Sequence, residues 1–200
     1  TIILRRDETG FRDASYANFL ECMVRPGTDI NDQYQFYANA GTLNTADEWI
    51  HCGLTYRGGG LAKAFVNGVN ETGDMWKRTT KLTPTTQTVT TNFSTISGYD
   101  WQCGALRFSG SMDLFWQGEI EDVRVYNREL SEAEVQTIYA SRGRDGIVNG
   151  LVLHWPMVAE NSGVIRDLGP GNYDGSIVVD SGSYSIGNRF TGRRRGRRAA

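Results

Sequence analysis

Cysteine, proline, histidine and long apolar runs are all scarce in this chain, and each shortage removes a class of answer. The three cysteines are Cys22, Cys52 and Cys103, an odd number with no C-x-x-C pair. That excludes a dense disulfide framework and the usual zinc-ligand spacing. Cys52 and Cys103 fall in strand-like stretches, where a cysteine packs as a small hydrophobe, so buried free thiols are expected, as in a protein assembled in a reducing cytosol. The two histidines, His51 and His154, do not support a Ser-His-Asp set and are expected to be structural. No G-x-x-x-x-G-K-[ST] phosphate loop is present. No apolar run approaches the roughly 18 residues of a membrane span, so no membrane partner is expected. No charged-then-apolar leader opens the chain at Thr1, and the expectation is a signal peptide removed or never present. Against 4 prolines stand 24 glycines, as many tight turns require.

The rest of the chain is organised around residues 118–139, GEIEDVRVYNRELSEAEVQTIY. Ile120, Asp122, Arg124 and Tyr126 alternate with Glu121, Val123, Val125 and Asn127, a period of two that predicts a strand. Ser131 followed by Glu134 is the capping-box pattern of a helix start. Val135, Ile138 and Tyr139 continue at helical spacing, and Gly143 is placed to stop the helix.

Short strands are predicted elsewhere: 2–6, 19–24, 34–38, 49–56, 61–66, 83–95, 103–108 and 114–116. Pro26-Gly27 marks a turn, and Asn67-Gly68 is the strongest hairpin signal. Residues 69–82 read as a polar loop carrying an exposed Trp76, and 98–104 as a loop carrying Tyr99, Asp100 and Trp101. Turns every 8–12 residues and a single helix predict an all-β sandwich of one domain.

The net charge of −2 is unevenly placed. Arg189, Arg193, Arg194, Arg195, Arg197 and Arg198 crowd the end of the sequence, leaving the remainder acidic. A basic tail on an acidic body suits docking on nucleic acid or on an acidic patch of a partner, and equally a solvated disordered segment. The tail has no interleaved aromatics and no recognition module around it, so any nucleic-acid contact would be non-specific and made through these arginines alone.

Three motifs resemble one family. The stretch 118–139 resembles the closing signature of laminin-G-like, concanavalin A-like jelly-roll domains. Glu48 to Tyr56 resembles that family's W-x-H strand, and Ala64 to Val69 its Y-V-N-G hairpin. The resemblance implies a concanavalin A-like β-sandwich with one short helix. Residues 150–176 resemble the family's opening, with Gly150, Leu151, Trp155, Glu160, Gly163, Asp167 and Gly175 on the pattern. The expected organisation is therefore 1–149 as the main part of the sandwich, 150–188 as an opening-strand-like segment, and 189–200 as the basic tail. The misplaced opening leaves three readings: circular permutation within one chain, strand exchange with a neighbouring subunit, or a slice of a tandem array.

What the resemblance implies about function is binding. Trp76, Tyr99, Asp100 and Trp101 are the candidates for contacting a glycan, while Trp49 and Trp155 are expected in the core. A structural Ca²⁺ is implied between Asp167 and the acids Glu121 and Asp122, since Ca²⁺ takes hard oxygen ligands. Relatives that hydrolyse glycans carry an E-x-D-x-x-E strand, but here Arg124 stands where the last glutamate would, so no catalytic carboxylate pair is completed. The expectation is a non-catalytic glycan or cell-surface binding and adhesion module, extracellular or on a virion surface. The alternative is a structural virion or shell protein that oligomerises through its C-terminal segment, with Arg193, Arg194, Arg195, Arg197 and Arg198 gripping an anionic partner. A glycoside hydrolase is the third and weakest reading.

Overall fold

The computed structural model describes residues 2–7, 19–24, 33–38, 48–57, 60–82, 88–89, 103–104, 106–108, 111–113, 119–157 and 163–177. The described chain is all-β with one helix. It divides into two compact units, the first holding residues 1–98 and 128–147, the second 99–127 and 148–200.

In the first unit a five-stranded antiparallel sheet is built from β1 (Ile2–Asp7), β2 (Phe19–Val24) and β3 (Tyr34–Ala38). A three-stranded sheet joins β4 (Cys52–Thr55), β6 (Lys63–Val66) and β7 (Val69–Asn70), after the short β5 (Gly60–Leu61). The chain then returns to the larger sheet as β8 (Thr72–Lys77) and β9 (Thr80–Lys81), giving the order β1-β2-β3-β8-β9. β10 (Thr88–Val89) pairs with β5. Cys22, Tyr34, Phe36, Ala38 and Met75 from the larger sheet pack in one core with Ala62, Ala64 and Val66, and Ile50, Leu54, Tyr56 and Leu82 close its margin. This is the two-sheet core of a sandwich.

Local chemistry explains two of these elements. Asn67 and Gly68 have φ of 50° and 80°, the pair of positive values that a two-residue hairpin turn between β6 and β7 requires. Helix α1 (Glu132–Ser141) starts on Ser131, whose hydroxyl accepts from the Glu134 N–H while the Glu134 carboxylate accepts from the Ser131 N–H. Two hydrogen bonds from Arg128, with those from Ser131, hold the Glu134 carboxyl down at about 2. The helix ends on Arg142 in the left-handed region, φ 53°, with Gly143 following at φ 73°. Tyr139 lies over Gly68, where an added Cβ would sit 2.9 Å from the ring, so only glycine fits beneath it.

The second unit holds β11 (Leu106–Phe108) with β12 (Ser111–Asp113), β13 (Val123–Tyr126) with β14 (Leu151–Trp155), and β15 (Val164–Ile165) with β16 (Gly175–Ser176), each pair antiparallel.

Several expectations are corrected. Residues 69–82 are not a loop but β7, β8 and β9. β8 places Met75 in the sandwich core and Trp76 on the opposite face, and both are buried, so the polar–apolar alternation that marks a half-exposed strand is absent. Trp49 is 52% exposed rather than core. Only Cys22 is buried; Cys52 and Cys103 are exposed, and all three thiols are free. The predicted strand at 120–127 is regular only over Val123–Tyr126, because Asp122 takes a left-handed φ of 59° just before it.

Candidate functional site

Two polar clusters among the described residues, one in each unit, hold the sequence-predicted site residues Trp76, Asp122 and Asp167.

In the first unit the outer face of the five-stranded sheet carries Glu21, Gln35, Tyr37 and Trp76, all buried. Antiparallel register puts Glu21 opposite Tyr37 and Gln35 opposite Trp76. Gln35 Nε2 donates to Glu21 Oε1 at 2.7 Å, and Tyr37 meets Trp76 edge to face at 5.4 Å. Lys81 Nζ stands 5.3 Å from the Trp76 ring centre and is ion-paired with Asp74. Trp76 is 5% exposed, so its ring faces are taken up by packing and do not form an open sugar platform. Its expected role as an exposed loop aromatic is corrected by its place in β8. The signal for this layer was the alternation of Gln33, Gln35 and Tyr37 against Tyr34, Phe36 and Ala38, which marked two faces but not that both would be covered.

In the second unit, three carboxylates organise the chain. Asp122 Oδ1 lies 2.8 Å from His154 Nε2 and accepts from Arg124 Nε at 2.9 Å. Arg124 and His154 are directly opposite in the β13–β14 register, and the left-handed turn at Asp122 brings its carboxylate to both. Burial pushes the Asp122 carboxyl up, but the hydrogen bond to His154 and the charge and hydrogen bond of Arg124 outweigh it and leave it below its ordinary value.

Asp167 works on backbone. Its Oδ1 accepts from the N–H of His154 at 2.8 Å and of Gly169 at 2.7 Å, and its Oδ2 from the N–H of Tyr173 at 2.9 Å. Burial raises this carboxyl too, and the three N–H groups more than reverse it. Asp174 completes the knot: Oδ1 accepts from the Asp167 N–H at 2.9 Å and Oδ2 from Arg166 at 2.7 Å. These partners hold its carboxyl low, the Asp167 N–H most of all.

Among the described residues no three His, Cys, Asp or Glu side chains gather as a metal ion needs, so Glu121, Asp122 and Asp167 are not brought together as a ligand set. Asp122 and Asp167 instead meet at His154, one at its ring and the other at its main-chain N–H. Each carboxylate is engaged by fixed donors, Asp122 by Arg124 and His154 and Asp167 by three main-chain N–H groups. Tyr99, Asp100 and Trp101, and Arg193, Arg194, Arg195, Arg197 and Arg198, lie outside the described residues. Sequence reasoning missed the Arg124–Asp122–His154 link and the role of Asp174. The first joins residues 32 apart in sequence, which no local pattern reports.

A family model described as the Concanavalin A-like lectin/glucanases superfamily matches residues 15–136, more than half of the chain. The chain belongs to this superfamily. The match runs from before β2 into the first turns of α1, ending at residue 136, and the all-β architecture agrees with it. No curated protein and no solved structure matches the chain. At the level of the concanavalin A-like superfamily the domain is of the carbohydrate-binding and adhesion type, although glucanases share the fold. Among the described residues no helix is long and apolar enough to cross a membrane.

Proposed function

We propose that this chain is a non-catalytic module that binds a glycan or cell-surface ligand, displayed extracellularly or on the surface of a larger particle such as a virion. The superfamily match over residues 15–136 carries the reading. The non-catalytic part is supported by the organising strand. A retaining glycosidase sets two carboxylates about 5–5.5 Å apart as nucleophile and acid/base, whereas here Asp122 is engaged by Arg124 and His154. The test is a glycan array probed with the intact chain, beside release of reducing sugar from the glycans that bind. Binding without hydrolysis is expected; hydrolysis would put the glucanase reading, the weakest of the three, first.

We further infer that residues 150–188 serve this chain's own sandwich. The pairing of β14 with β13 in one chain supports that reading. A chain ending at Asn149 is then expected to be unstable while the intact chain is monomeric in sedimentation. An intact chain that forms a large oligomer, with a folded monomeric truncation, would favour the structural assembly reading.

A further inference from the structure

We propose that Tyr173 is the stacking platform of a neutral pyranose site, flanked by Asp174 and Arg166. The proposal rests on the glycan-binding reading above and gives it a place in the second unit.

Tyr173 is 57% exposed, yet it is held unusually firmly. Its N–H donates to the buried Asp167 carboxylate at 2.9 Å, and its C=O accepts from the Trp155 indole Nε1 at 2.7 Å. The ring is seated as well. An added Cβ on Gly171 would collide with Cε2 and Cδ2 of Tyr173, so the ring edge occupies the notch that glycine leaves. An exposed aromatic whose backbone and ring are both fixed has little freedom left to lose on binding, which is the condition for affinity from a small contact. A pyranose presents a face of C–H groups to the negative face of an aromatic ring, and its rim of hydroxyls asks for paired donors and acceptors. Asp174, next in sequence to Tyr173, and Arg166 supply both, ion-paired at 2.7 Å with side chains 38% and 59% exposed. The two bonds to Asp174, from the Asp167 N–H and from Arg166, leave lone pairs for hydroxyl donors, since a carboxylate has about four acceptor positions. Because the pair neutralises itself, it favours an uncharged sugar over a sialylated or sulfated one.

The experiment uses the intact chain and an array of gluco-, galacto- and N-acetyllactosamine oligosaccharides, with titration calorimetry on the best-bound member. Tyr173→Ala keeps both main-chain hydrogen bonds, so the loop is expected to stay folded. It should weaken binding about tenfold or more, as truncating a central aromatic contact does, while Tyr173→Phe binds as the parent does. If Tyr173→Ala lowers the melting temperature, Tyr173→Leu, which keeps the bulk without the ring, replaces it and should lose binding equally. Parent-like affinity in both Tyr173→Ala and Tyr173→Leu overturns the site and leaves the glycan reading standing. A parent chain that binds none of the oligosaccharides overturns both.

Discussion

In the first unit the largest fully buried apolar side chains are Tyr34, Phe36, Tyr37, Phe65 and Met75, packed between and upon two sheets. In the second, Leu153 and Ile165 are the buried apolar residues among those described, and Asp167 is buried with them. Order there is carried by carboxylates that tie down backbone. The two strategies have similar strength per contact: burying a large apolar side chain contributes about 1.5–3 kcal/mol, and a hydrogen bond to a charged group about as much. They differ in what disturbs them. Apolar burial is indifferent to pH, whereas a carboxylate clamp works only while ionised. A small apolar core and a dense polar knot are thus alternative ways to fix a loop, and the second leaves an aromatic such as Tyr173 free to face solvent.

The largest expected effect breaks the apolar side of this comparison. Trp76→Ala removes a ring that is 5% exposed and packed edge-on against Tyr37, and should cost about 3–5 kcal/mol in urea denaturation. A cost under about 1 kcal/mol would mean that the ring is not part of a packed layer. Next comes the polar side. Asp167→Asn leaves one oxygen in place of a charge that serves three N–H groups, and should cost about 2 kcal/mol. Hydrogen exchange should localise the loss: the His154, Gly169 and Tyr173 amides lose protection while β3 changes less. An equal loss in β3 would show that the clamp is not local.

What could be read before the structure follows the same division. The Asn67-Gly68 turn and the Ser131–Glu134 capping box depend on neighbours three residues away or fewer, and both stand as expected. β8 was not legible, because a strand covered on both faces loses the period of two. Trp49 and Trp76 exchanged places between surface and interior for a related reason: burial of an aromatic is decided by what packs over it, not by its own stretch. The acids were found but not their use. Asp122 and Asp167 stood out as oxygen ligands, while the guanidinium, imidazole and main-chain N–H groups that engage them come from other turns and strands.

Acid should sharpen the contrast. The Asp122, Asp167 and Asp174 carboxyls all lie below their ordinary values in the fold. A depressed folded pKa gives stability that is fully present above the unfolded value, about 3.9 for Asp, and is lost as pH falls through the folded one. Protection of the amides bonded to Asp167 should therefore fall below about pH 4, ahead of protection in β3 and β6. Parallel loss in all of them would mean that the second unit does not open on its own.

The smallest effect tests whether the first unit is free of such dependence, and it should not be entirely so. Ser131→Ala removes one half of the capping box at the start of α1, and should destabilise by about 1 kcal/mol. The Glu134 carboxyl, held at about 2 by Arg128 and Ser131, carries the pH dependence. Its contribution is complete above the unfolded value of about 4.3 and fades toward the folded one. The gap between the parent and Ser131→Ala should thus be widest near neutrality and narrow as pH approaches 2 in thermal melts, as the hydroxyl's bond to the Glu134 carboxylate is lost. A gap that stays constant with pH would assign the effect to the hydroxyl's bond to the Glu134 N–H alone, with no part played by the hydroxyl's own bond to the Glu134 carboxylate.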